Sequence, residues 1–313
     1  MLNGKLVLLT VCAMVSIVLF FGINLRGDPK FALELRAVKF IALLQVAVSV
    51  ALSTVMFQTI TANRILTPSI MGMDALFVLL QTVLVFVLGA VGFAALNTGF
   101  KTVGEVTLMS GLASALFLPL LRYRTSMTLL LLGGIVVGVL FRSLTSLIAR
   151  LLDPNDFAVV QGVSYAEFNT IESQFLPHFA VLTLIVFLIC WKSRHVLDVF
   201  LLGRDTAIGL GVNWSLYAAG LLALIGALVA TSTALVGPVT FLGLLVVGLT
   251  ERILGTQRHG QMLIAACLVS IILLVGGQTL LSHAFHNAVP LGILIEFVGG
   301  ITFLCLLFSR KPS

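Results

Sequence analysis

The sequence predicts an all-α polytopic membrane protein, and three observations carry that prediction. Only 10% of the residues are charged, 59% are hydrophobic and the mean hydropathy is +1.17. A soluble domain carries roughly 25% charged residues, so this chain has too few to cover a globular surface in water. The apolar residues also gather in runs close to the ~20 residues a helix needs to cross a bilayer. Finally, the net charge of +6 sits in the connections between those runs, as expected where Lys and Arg collect on the cytoplasmic side of a membrane. A soluble enzyme, a disordered tail, a secreted disulfide scaffold and a nucleic-acid-binding surface are excluded on these grounds.

Each element follows in order. Leu6–Ile23 comes after Lys5 like a signal peptide, but no A-x-A site follows, so it reads as a retained helix. Phe40–Phe57 and Ala75–Leu96 are strong spans, whereas Val103–Leu121 is weaker because it contains Glu105. Met127–Ile148 carries Arg142 towards its outer end. The stretch Arg150–Gln174, mixed apolar and acidic, is expected to form an amphipathic helix on the outer surface. Pro177–Trp191 is a short span, and Lys192–Ser215 reads as two short helices separated by glycine on the inner side. A connection that long, with helices of its own, points to function.

Leu216–Val236 crosses again. Phe241–Leu249 is too short to cross, follows Gly237-Pro238 and contains Gly243, so it reads as a half-helix returning from mid-membrane. Broken backbone at that depth is tolerated only inside protein or along a cavity. Met262–Leu281 and Val289–Phe308 complete about ten transmembrane helical elements in a single domain over residues 1–313. With both termini inside, the inner connections hold more Lys and Arg (Lys5, Arg64, Lys192, Arg194, Arg204, Arg252 among them) than the outer ones, which are balanced by acids such as Glu105 and Glu167. That fixes an N-in, C-in orientation.

The chemistry-bearing residues exclude more than they identify. Cys12, Cys190, Cys267 and Cys305 show no C-x-x-C spacing and read as small buried hydrophobes. No Walker A loop, H-E-x-x-H or G-x-S-x-G occurs, so neither catalytic residues nor a metal site are expected. His283 and His286 could meet on one helix face, as interface histidines or as a metal pair; His178, His195 and His259 stand alone. Two acids lie within or beside spans, where charge is costly and usually faces a cavity or a partner. Asp74 reads either as a helix N-terminal cap or as part of a route. Glu296 reads either as a glutamate bonded to a neighbouring helix or as a functional group.

The order of motifs resembles a known family, the permease subunits of bacterial ABC importers for ferric siderophores, haem and cobalamin (FecCD-type). That family opens its second helix with R-x-P-R, places Gln nineteen residues after the second Arg, and Asn five residues later in N-P-L-x-x-P-x-x-x-G. Here Arg36 and Lys39 are followed by Gln58 and Asn63, then Arg64-Ile65-Leu66-Thr67-Pro68-Ser69-Ile70-Met71-Gly72. The family's L-G-x-x-x-A-x-x-L-G-V stands as Leu202 to Val212, its A-G-x-I-x-F-x-G-L as Val236 to Leu244, and its L-P-x-G as Val289 to Gly292. Departures are Val38 for the proline, Lys39 for the second Arg, and Val246-Val247-Gly248-Leu249-Thr250-Glu251 where V-P-H is usual. The wording N-R-I-L-T-P-S-I-M-G is nearest to the ferric catecholate-siderophore subgroup.

The resemblance implies a permease carrying a ferric siderophore, of the catecholate type, across the bacterial cytoplasmic membrane. Haem or cobalamin is the alternative cargo, and Asp74, Glu296 and the broken helix also fit an ion-coupled secondary transporter. It implies docking of a periplasmic or lipid-anchored binding protein at Arg36 and Lys39. The translocation pathway would comprise Gln58, Asn63, Asp74, Gly237, Pro238, Gly243 and Glu296. A separate ATP-binding subunit would engage the coupling loop at about 192–215 through Gly203, Asp205, Ala207, Leu210 and Gly211. A second permease subunit, identical or related, is implied; ATP and magnesium belong to the ATPase, and no cofactor is expected on this chain.

Overall fold

The computed structural model describes residues 4–23, 29–122, 127–168, 171, 173–284 and 289–308. The chain is helical throughout these residues: α1 (Gly4–Gly22), α2 (Pro29–Thr61), α3 (Met73–Ala95), α4 (Thr98–Arg122), α5 (Met127–Ala149), α6 (Pro154–Val163) and α7 (Leu176–Lys192). Then come α8 (Arg194–Phe200), α9 (Arg204–Gly209), α10 (Trp214–Val236), α11 (Leu242–Leu254), α12 (His259–Ile271), α13 (Gly277–Ala284) and α14 (Leu291–Phe308). A helix stands at each of the ten elements read from the sequence, and the two short helices of the inner connection are present (α8, α9); the connection expected to form an amphipathic helix holds only the ten-residue α6, which lacks a clear apolar face. Six described helices are long and apolar enough to cross a membrane, and α7 with α8, bent by 66°, makes a seventh.

Helix α2 is the hub. It begins at Pro29 rather than near Phe40, because a proline suits the first turn and because the Arg36 guanidinium donates to the carbonyls of Phe20 and Phe21, 2.9 Å each, at the end of α1. Further along, α2 buries a polar series that includes Gln45, Ser49, Thr54 and Thr59. In low dielectric such groups need partners, and Gln45, Ser49 and Thr183 of α7 form a triangle with sides of 3.0–3.3 Å. Around α2 pack α10, α12, α7 and α11. At the periphery α1, α5 and α14 expose apolar side chains such as Val18, Val136 and Phe297, the surface that lipid covers. For that reason Cys12 and Cys305, expected to be buried, are exposed, whereas Cys190 and Cys267 are enclosed.

Three departures from regular helix shape the bundle. A 3₁₀ turn, Pro68–Met71, leads into α3 through Gly72 at φ +90°. Helix α3 breaks at Gly89 (φ 67°, ψ 169°), and the freed N–H of Ala90 donates to Asp156 Oδ1 of α6 at 2.7 Å. Between α12 and α13 the backbone widens into a π segment, Ile272–Gly276. Two ends of the bundle are then defined. Lys5 Nζ donates to Leu254 O at 3.2 Å and Arg64 pairs with Glu251 at 3.3 Å, placing the N-terminus and the end of α11 together. At the opposite end Glu167 N donates to Val236 O at 2.8 Å.

Candidate translocation and coupling sites

Helix α10 stops at Gly237, whose φ of 90° and ψ of 179° leave the helical region. Its N–H still reaches Thr233 O at 2.7 Å, and a Cβ there would lie 3.1 Å from the Tyr165 carbonyl. Pro238 follows, and the chain enters α11 at Leu242. One residue on, Gly243 lies against Thr54 of α2 so closely that a Cβ at 243 would overlap the Thr54 hydroxyl. Within the connection, Thr240 Oγ1 donates to Asp74 Oδ2 at 3.0 Å. Glu296 of α14, half-buried, interacts electrostatically with Asp74 and lies beside Thr240. The helix break thus gathers Asp74, Gly237, Pro238, Gly243 and Glu296 from α3, α10, α11 and α14. Asp74 does not cap α3: Gly72 holds the N-cap position without a side-chain hydrogen bond, since the 3₁₀ turn joins the helix directly.

The structure places Gln58 and Asn63 elsewhere, at the inner end of α2. Gln58 Nε2 donates to Arg64 O at 2.8 Å, while its Oε1 is enclosed without a partner among the described residues. Asn63 is exposed and its Oδ1 accepts from Ile65 N at 3.0 Å, shaping the turn out of α2. Gln58, Arg64, Glu251, Leu201 and His259 line a cavity of about 140 Å³.

At the outer end, Arg36 and Lys39 are both engaged inside the chain. The guanidinium holds the carbonyls of α1, and half-buried Lys39 faces the Glu167 carboxylate. In the inner segment, Gly203 (φ 91°) and Gly211 (φ 85°) make the turns before and after α9, conformations that favour glycine. Ala207 is fully buried and its carbonyl accepts from Val212 N at 3.0 Å, whereas Asp205 and Leu210 are exposed. Together with Leu202 and Ile208, Leu210 presents apolar side chains on the inner face. Phe200 stacks on Trp214 at 5.8 Å between ring centres, fixing α8 against the base of α10.

Some functional candidates carried little sequence signal. A cavity of about 450 Å³ opens near the outer end, lined in part by Gln81, Lys101, Glu105, Tyr165 and Glu167. Glu105, counted from the sequence among the outer-connection acids, is instead buried in α4. It accepts from Gln81 Nε2 at 2.6 Å and lies 3.9 Å from Lys101. Close packing of α5 had a readable signal, the small-residue pair Gly134 and Gly138: a Cβ at Gly72 would fall 2.6 Å from the Gly138 Cα. His283 bonds within its own helix, to Thr279 O at 2.8 Å; His286 lies outside the described residues. Among those residues, no group of three or more His, Cys, Asp or Glu is placed to hold a metal.

Comparison with known proteins adds three findings. The model of the FecCD transport family matches residues 6–309. The chain is 38% identical over 310 residues to the petrobactin import system permease protein YclO of Bacillus subtilis, covering 99% of this chain and 98% of that protein. It is 30% identical to the petrobactin import system permease protein FatC of Bacillus anthracis, over 91% and 81% of the two chains. In three dimensions it is similar to a metal-chelate type ABC transporter solved in an inward-facing conformation, with a TM-score of 0.84 at 22% identity over 98% of this chain and 99% of that one.

Proposed function

We propose that this chain, which belongs to the FecCD transport family, carries a ferric siderophore of the catecholate type inward. It is the multi-pass permease subunit of an ATP-driven importer in the bacterial cytoplasmic membrane, and it performs transport and no bond chemistry. An ATP-binding subunit and a substrate-binding protein are its partners. The observation that carries the choice of cargo is the near full-length 38% identity to a permease of petrobactin import.

The binding protein docks on the outer face shaped by Arg36 and Lys39. The attachment of Arg36 to the α1 carbonyls and the electrostatic attraction between Lys39 and Glu167 give that face a defined charge pattern, which favours orientation and association rate more than affinity. The chelate passes beside the break between α10 and α11, where Asp74, Thr240 and Glu296 add to the buried hydroxyls of Ser53, Thr54, Ser232 and Thr233. Gln58 and Asn63 stand at the inner exit. The ATPase grips α8 and α9, whose exposed Leu202, Ile208 and Leu210 suit an apolar groove and whose glycine turns preserve the shape. A second permease subunit, identical or related, faces this one across the pathway.

The test is reconstitution in proteoliposomes with candidate ATPases and binding proteins, followed by uptake of labelled ferric catecholate, ferric hydroxamate, haem and cobalamin. ATP-dependent uptake favouring the catecholate is expected. Uptake that persists without ATP under a proton gradient would overturn the reading in favour of a secondary transporter.

A further inference from the structure

Away from the helix break, the structure ties three elements together at one buried histidine. His259 opens α12 and is almost fully buried. Its ring Nδ1 lies 2.8 Å from Asp198 Oδ1 on α8, and its backbone N–H donates to the same oxygen at 2.7 Å. The carboxylate therefore closes the otherwise uncapped N-terminus of α12 from another helix. It also fixes Nδ1 as the donor of the ring, because a carboxylate only accepts. The opposite nitrogen, Nε2, meets Thr59 Oγ1 of α2 at 2.7 Å. Every contact in this chain is short, and each partner belongs to a different element.

Thr59 is adjacent to Gln58, and His259 and Thr59 both line the inner cavity with Arg64, Glu251 and Leu201. That cavity is where the end of α8, the inner end of α2 and the half-helix α11 meet. Its rim carries the Arg64–Glu251 ion pair, which links the turn after α2 to α11. A displacement of α8 moves Asp198, and so either carries α12 with it or breaks two hydrogen bonds from His259. A displacement of α12 in turn carries the imidazole away from Thr59.

We propose that Asp198, His259 and Thr59 form the transmission joint through which movement of the α8–α9 segment reaches α2 and the inner exit. They act as positioning residues, touching neither cargo nor nucleotide. The inference rests on the reading of α8–α9 as the ATPase-coupling segment, and it deepens that reading by naming the route taken from there.

The test uses the complete importer, permease with its ATPase and binding protein, in proteoliposomes. Thr59→Val removes the hydroxyl at constant shape, and Thr59→Ser restores it. Three quantities are read: ATPase retained on purification, nucleotide-dependent maleimide labelling of Ala62→Cys, an exposed position beside the inner cavity, and chelate uptake per ATP hydrolysed. Labelling is done with Cys12 and Cys305 replaced by Ala. For T59V, retained assembly is expected, with loss of the nucleotide-dependent change in labelling. Uptake per ATP should fall roughly two- to thirtyfold, the range over which single positions modulate coupling; T59S should recover both. Wild-type labelling and coupling in T59V, or failure of T59S to recover them, overturns the joint. Should T59V not assemble, His259→Asn, which shortens the reach to Thr59, is expected to uncouple in the same way, and normal coupling in it overturns the joint. Gly211→Pro separates the two claims. If G211P couples normally, the coupling segment is misassigned; if G211P uncouples and T59V does not, only the joint fails.

Discussion

At Gly243 a single hydrogen decides how closely the half-helix approaches α2. A Cβ there meets the Thr54 hydroxyl first and the rest of that stiff, β-branched side chain next. Gly243→Ala is therefore expected to cost ~1–3 kcal/mol, the usual penalty of overpacking. Thr54→Ala in the same chain should recover part of it, because the hydroxyl, which clashes most, and the methyl are then gone; thermal unfolding of the single and double variants checks this. Additive losses would show that the site yields by another route. At this scale legibility was uneven. Gly237, Pro238 and Gly243 could be read as breakers because their conformational limits are local. The partner of Asp74 could not, since Thr240 is 166 residues away in sequence. The burial of Glu105 was hidden too: a charged residue about two turns inside a helix end looks the same whether it meets water or a glutamine from another helix.

The elements were readable because each span must satisfy its own backbone in lipid, which leaves length and hydropathy as sufficient signals. Their irregularities were not. The break of α3 at Gly89 depends on Asp156 arriving from α6 to take the Ala90 N–H, an interaction between elements. Asp156→Ala should release that amide and cost about 0.5–2 kcal/mol locally, as removal of a capping side chain does. Faster hydrogen exchange at Ala90, with the inner half of α3 unchanged, is the expected signature. On the inner face, Gly211 holds φ at 85°, whereas proline is locked near −65°. Gly211→Pro should accordingly abolish stimulation of ATP hydrolysis by the binding protein while leaving that protein's docking at the outer end intact, as measured by co-sedimentation with proteoliposomes. The tight crossing of α5 over the 3₁₀ turn gives a third test. Gly138→Leu should drive α5 away from Gly72, seen as loss of stability that Gly138→Ala shows to a smaller extent.

For the whole molecule, the few charges explain more than their number suggests. Lys5, Arg64 and Glu251 cluster at one end, while Arg36, Lys39 and Glu167 engage at the other, so the two ends carry different charge patterns. Salt should then slow association with the binding protein while leaving the assembled permease and ATPase intact, because rim charges steer encounters and are screened; stopped-flow binding at increasing ionic strength reads this directly. The helix α1 has a consequence of a different kind. Only 22% of its membrane-crossing window is buried, and apart from Arg36 and Phe40 of α2 at its far end, its neighbours are α12, the π segment, α13 and the end of α11, which lie more than 200 residues along the chain. Even its N-terminal lysine reaches forward to Leu254. During synthesis at about 5–20 residues per second, α1 waits roughly 10–55 s before those later neighbours exist. Helix α1 is thus made well before most of the surface it packs on, and until then only the start of α2 accompanies it in lipid.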